Sequence, residues 1–358
     1  MALGMNLNER RWRILRFFMI GWTFAFIFLS IVRGLGTQEL GELKFSFKES
    51  LLIACTLGPI MGFVSGMAQI TIEERFYKYV PLKRLLLIQL VYIICFLLLV
   101  TVVAYGVYHL YFGIEISFWR FASDKGSGAI FFFVVFTDFA LSLLRQVDLM
   151  LGEGNLSKLI RGRFYSPREE HRIFMFLDLQ SSTTLAERLG HIKYSKLIQD
   201  CFNDMGVVVG NKAEIYQYVG DEAVLTWEFK DGIKDQNCIK AFFNFKQLLS
   251  DREQFYQNTY GCLPFFKAGM HSGIVTVTEV GKYKKEIAYH GDTINTAARI
   301  QGKCNDLDSE LLLSESLKEK LQRNSFLFKE MGKISLKGKQ GKVMVHSVSE
   351  IKNRSAMA

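Results

Sequence analysis

Four apolar stretches, all within the first 150 positions of a 358-residue chain, restrict the fold more than any other feature. They run approximately over Phe17–Val32, Leu51–Ile72, Leu85–Tyr108 and Ala129–Leu144. Each is long enough, or nearly so, to cross ~30 Å of hydrocarbon as a helix. The first and last are short, but Ile14 and Leu15 extend the one, and Arg16 and Arg145 can snorkel to the interface. No small-residue cleavage site follows the first stretch, and three more come after it, which argues against a removable leader. The rest of the chain has an ordinary globular composition, so residues 1–146 and those beyond belong to two environments.

Lys and Arg near the segment ends set the expected orientation. Arg10, Arg11, Arg13 and Arg16 lie at the first segment. Arg75, Lys78, Lys83 and Arg84 separate the second from the third, and Arg145, Lys158, Arg161 and Arg163 follow the fourth. The other two connections are poorer in positive charge. Both termini are therefore expected in the cytoplasm of a multi-pass protein of the cell membrane. The net charge of +9 is explained by this topology and by anionic headgroups. No stacking or Arg-rich groove pattern points to nucleic acid as a partner. The six cysteines are scattered without a CxxC pair, so neither a disulfide framework nor a zinc site is indicated. Asp138 is the only charge inside any of the four segments. A carboxylate there is expensive, and it either marks function or is held structurally by a neighbouring helix.

Residues 147–171 are polar, with Gly152, Gly154, Gly162 and Ser166-Pro167, and are expected to form a linker with a short helix. Residues 172–350 alternate strands and amphipathic helices, an α/β pattern, and 351–358 form a tail. Three motifs stand out. In the first, the apolar run Ile173 to Leu177 ends on Asp178, followed by Leu179, Gln180, Ser181, Ser182, Thr183 and a helical pattern. A carboxylate at a strand end beside a helix start can hold a cation while free N–H groups receive phosphate oxygens; the alternative is a plain helix N-cap. In the second, Gly220-Asp221 lies between apolar runs, a hairpin signature, and offers a second carboxylate on an adjacent strand. In the third, Gly291-Asp292-Thr293 opens a helix whose Ile294, Ala297 and Ala298 pack inward, while Asn295 and Arg299 lie one turn apart on another face. An amide and a guanidinium so placed can hold a ribose oxygen and a developing phosphoryl charge. Alone, they would be solvated surface groups.

In this order and spacing, the motifs resemble the class III adenylate and guanylate cyclase homology domain. Phe266 to Gly273 and Ile334 to Gly338 match further landmarks of that family, and the resemblance spans about Arg172 to Val348, not the membrane half. It implies an α+β, ferredoxin-like βαββαβ catalytic domain, fused here to an all-α transmembrane module and used as a homodimer. It implies that Asp178 and Asp221, with Leu179 beside the first, hold two Mg²⁺ or Mn²⁺ ions. Ser181, Ser182, Thr183, Lys267 and Lys337 would contact the phosphates of a nucleoside triphosphate. Asn295 and Arg299 would act across the interface on ribose and α-phosphate, giving a 3′,5′-cyclic nucleotide and pyrophosphate.

Three positions depart from the pattern. Lys267 stands where an Arg is usual and loses bidentate geometry. The two purine-selecting positions hold Gln217, which both donates and accepts, and Ala288, which does neither through its side chain. ATP is the expected substrate and GTP the alternative. Two competing expectations are a diguanylate cyclase, whose hairpin Val219–Glu222 faintly resembles but which does not need the Asn295/Arg299 helix, and a membrane receptor with a non-catalytic cyclase-like domain.

Overall fold

The computed structural model describes residues 2–34, 47–76, 82–113, 115–124, 126–321, 325–335 and 341–351. Two compact units result, Leu7–Met150 and a second from Leu151 onward.

The first unit is helical: α1 (Ala2–Gly34), α2 (Phe47–Thr71) continued by a π-helical turn Ile72–Phe76, α3 (Leu82–Phe112), a short α4 (Phe118–Ala122) and α5 (Ser127–Met150). Four of these helices are long and apolar enough to cross a membrane. They outrun the apolar stretches because the polar flanks stay helical. Gly58, Gly62 and Gly66 put small residues at every fourth position of α2. A Cβ at Gly58 would lie 2.5 Å from Thr23 Cα, and one at Gly62 would lie 2.3 Å from Met19 Cα. The glycines thus let α1 and α2 meet backbone to backbone. Asp138 is buried and accepts hydrogen bonds from Ser65 on α2 (2.5 Å) and Tyr92 on α3 (3.3 Å). Its carboxylate is therefore held by two neighbouring helices. Near the end of α5, buried Arg145 pairs with Glu73 of the π turn (2.9 Å), which also takes Arg10 of α1 (2.6 Å).

The second unit opens with α6 (Asn155–Ile160) and β1 (Arg168–Leu179). Next come α7 (Ser182–Leu189), α8 (His191–Asp204), the hairpin β2 (Glu214–Val219) and β3 (Glu222–Glu228), α9 (Phe229–Ile233), α10 (Asn237–Asp251) and α11 (Glu253–Tyr260). β4 (Phe266–Val280), β5 (Glu286–His290), α12 (Asp292–Gln301), β6 (Leu311–Ser314), α13 (Glu315–Lys318), β7 (Phe326–Ile334) and β8 (Val343–Glu350) complete it. The sheet order is β2-β3-β1-β4-β6-β8-β7, with β5 on β4. Its first four strands are antiparallel neighbours joined as βαββαβ, the expected core, and β6 extends it parallel to β4.

β1 is apolar on both faces because both faces are covered. Ile173, Met175, Leu177 and Leu179 pack into a core with α8, α10 and α11. Phe174 and Phe176 pack on the other face with Ala297 of α12. Strand alternation then places Asp178, two residues further on, on the α12 face at the strand's end.

Candidate active site

Asp178 is half-buried, and Leu179 beyond it is sealed in the opposite core. Only the Leu179 main chain can therefore serve the site, and its N–H donates to the Asp178 carboxylate. The chain turns sharply at Ser181, whose φ of +58° is unusual for a side-chain-bearing residue. α7 starts at once, its first helical bond running from Leu185 N to Ser181 O at 3.0 Å. The N–H groups of Ser182 and Thr183 precede that bond and have no partner within the helix, so the start of α7, a few residues after Asp178, offers donors of the kind that anionic oxygen accepts.

The hairpin brings the other carboxylates. Gly220 and Asp221 are the two residues between the paired Val219 and Glu222. Gly220 takes φ +62°, which a two-residue hairpin turn demands and glycine supplies without strain. Glu222 faces Asp178 directly across β3 and β1. The carboxylates act on one another: burial first and then Asp221 raise the pKa of Asp178, and burial with Asp178 and Asp221 pushes Glu222 up to about 7. Tyr194 of α8 feels both aspartates and bonds with Ser182, so α8 backs the site.

α12 approaches from the sheet's other side. It buries Thr293, Thr296, Ala297 and Ile300, leaving Asn295 exposed and Arg299 half-buried. Among the described residues neither makes a side-chain hydrogen bond or ion pair. Gln301, at the helix end, instead donates to Asp178 and lowers its pKa. The approach is possible because β4 carries Gly269, where a Cβ would lie 2.1 Å from Gln301 N. Lys267 faces Asp178 across β4 and β1, is buried, and donates to Asn305 at 3.0 Å. Lys337 lies outside the described residues.

Gln217 is exposed on β2 and Ala288 half-buried on β5. The register slips between Ile215 and Gln217, a bulge that turns Gln217 to the same face as Val224 and so towards α12. The neighbours of these two positions meet: the Tyr216 and Tyr289 rings are 5.0 Å apart.

Residues 164–350 match the family described as adenylate and guanylate cyclase catalytic domain. The chain belongs to this cyclase family. Adenylate cyclase 2 of Rhizobium meliloti is 34% identical over 206 residues, 57% of this chain and 57% of that protein. The adenylate cyclase of Anabaena cylindrica is 26% identical over 182 residues, 49% of this chain and 36% of that one. The chain thus matches just over half the length of the first relative and about a third of the second. A solved bacterial light-regulated adenylyl cyclase aligns over 64% of this chain and 67% of its own, with a TM-score of 0.54 at 17% identity, which establishes a shared fold.

A cyclase domain implies divalent cations, and the donor chemistry here fits them. Asp178, Asp221 and Glu222 gather hard, negatively charged oxygen in a confined place, the ligand type that Mg²⁺ and Mn²⁺ take. Among the described residues no three acidic, His or Cys side chains already enclose one point. Sequence reasoning overlooked Glu222, Gln301, Asn305 and Tyr194. Only Glu222 carried a signal, as the neighbour of Asp221 on a strand next to that of Asp178; the others reach the site through tertiary contacts with no characteristic spacing.

Proposed function

We propose that this chain is a membrane-embedded adenylate cyclase, converting ATP to 3′,5′-cyclic AMP and pyrophosphate at sites shared between two copies. The observation that carries the reading is the division of labour within one subunit. Asp178 and Asp221 form one cluster, while Asn295 and Arg299 project from α12 with no partner among the described residues. A homodimer turns two such half-sites into two whole ones.

Divalent cations held by Asp178 and Asp221 would make the ribose 3′-hydroxyl a better nucleophile and offset triphosphate charge. The N–H groups at the start of α7 receive phosphate oxygens. The partner's Arg299 donates to the α-phosphate as charge builds during displacement, and the partner's Asn295 holds the ribose so that attack is in line. Lys267 and Lys337 would neutralise the phosphates that leave. Gln217 reads the base edge; its amide accepts either purine, so GTP is the second reading. The names of the relatives favour ATP. Four spanning helices, with both termini in the cytoplasm, would place the catalytic unit where the nucleotide is.

Full-length protein in detergent or vesicles, given Mn²⁺ with ATP or GTP, should yield cyclic AMP by mass spectrometry, with less cyclic GMP. Nucleotide binding with no cyclic product from either substrate would instead identify a receptor with a silent cyclase-like domain.

A further inference from the structure

Arg172 is 1% exposed, and a buried guanidinium is tolerated only with partners in several directions. Its Nε donates to Glu170 at 3.0 Å and its terminal nitrogen to Glu214 at 2.9 Å. Its Cζ also lies over the Tyr289 ring, 5.2 Å from the ring centre. These partners belong to different strands: Glu214 opens β2, three residues before Gln217, and Tyr289 follows Ala288 on β5. Strands β2 and β5 are not neighbours, since β3, β1 and β4 intervene. They are joined over the face of the sheet by side chains, with Arg172 on β1 between them.

A second contact makes the same bridge. The bulge in β2 turns Tyr216 onto this face, where its ring meets Tyr289 edge to face at 5.0 Å. The Tyr216 hydroxyl accepts the backbone N–H of Tyr289 at 3.4 Å. The main chain next to Ala288 is thus tied to the residue next to Gln217. Lys158 and Arg163 of the linker share the carboxylates that Arg172 uses, at 3.3 Å and 3.0 Å.

We infer that Arg172 is a positioning residue for nucleobase recognition, acting with Tyr216 to hold β2 and β5 at the separation at which Gln217 and Ala288 read one purine. This rests on the assignment of those two positions to the base. A planar fork sets the Glu170, Glu214 and Tyr289 directions at once, which a lysine ammonium does not. A bond between two base-reading strands alters discrimination between purines more than chemistry at the α-phosphate. An ion pair that only stabilised the fold would affect both nucleotides alike.

The test uses the full chain and the variants Arg172→Gln, Arg172→Lys and Tyr216→Phe. It reads KM and kcat for ATP and GTP, displacement of a fluorescent nucleotide by each with Mn²⁺ present, and the melting temperature. Arg172→Gln should move the ATP:GTP ratio of kcat/KM by about tenfold, chiefly through KM, with kcat within about threefold. Arg172→Lys should fall between, and Tyr216→Phe should shift the ratio in the same direction by less. An unchanged ratio in Arg172→Gln, or equal losses of kcat for both nucleotides, would overturn the inference. If that variant does not fold, Tyr216→Phe decides, because it removes one oxygen and an unchanged ratio there is equally fatal. A wild-type chain that made no cyclic product would sink the cyclase reading alone, since the displacement ratio still tests Arg172.

Discussion

Asp178 and Glu222 oppose each other across paired strands, and Asp221 precedes Glu222 in the turn. Three carboxylates in one half-buried place repel each other, and a fold retains such a cluster at a cost in stability when a ligand uses it. Asp221→Asn should therefore raise the melting temperature of metal-free protein by about 2–4 °C, the shift that ~1 kcal/mol gives in a domain of this size. The same change should abolish the stabilisation that Mn²⁺ gives the wild type and lower turnover ~100-fold or more. Equal Mn²⁺ stabilisation of variant and wild type would remove Asp221 from the metal site. Asp178 and Asp221 stood out as candidates because each ends or interrupts an apolar run. Gln301 and Asn305 were not, because a helix end reaching a strand end leaves no periodic trace.

At the level of elements, α12 is located by two glycines of β4. At Gly269 an added Cβ would strike the backbone of Gln301, at 2.1 Å from N and 2.5 Å from Cα. At Gly273 it would meet the Thr293 side chain, at 2.5 Å from Oγ1. The Gln301 backbone is fixed by α12, whereas Thr293 Oγ1 can yield at the cost of its 2.8 Å bond to Ile274 O, so the two substitutions should differ. Gly269→Ala should cost about 1–3 kcal/mol by overpacking and lower kcat at least ~10-fold, because Gln301 and Arg299 move with the helix. Gly273→Ala should do markedly less in both melting and rate measurements, and equal effects would mean that α12 is not positioned by this contact. The segment Phe266 to Gly273 was visible in the sequence as a family landmark, but why it holds two glycines emerges only when the helix lies on the strand. Alternating patterns showed a mixed α/β domain, and the βαββαβ order came from the family resemblance. The bulge at Tyr216 was not, since one inserted residue is invisible in a short strand.

Over the whole molecule, the apolar stretches in the first 150 residues announced the helical unit, and the structure adds how it packs, through glycines on α2 and through Asp138 bound by Ser65 and Tyr92. Whether two copies share working sites is the decisive question for function, and mixing two disabled chains addresses it. On the proposed division of labour, Asp178→Ala would lack the cation-holding half and Arg299→Ala the half lent to a partner. Each alone should be nearly inactive while keeping its fold. Co-assembled in equal amounts, half the dimers pair the two variants, and each such dimer keeps one intact site of two. Cyclic nucleotide formation should then return to about a quarter of the wild-type rate. No recovery, with mixed dimers demonstrated by affinity capture of differently tagged chains, would contradict a site built from two subunits.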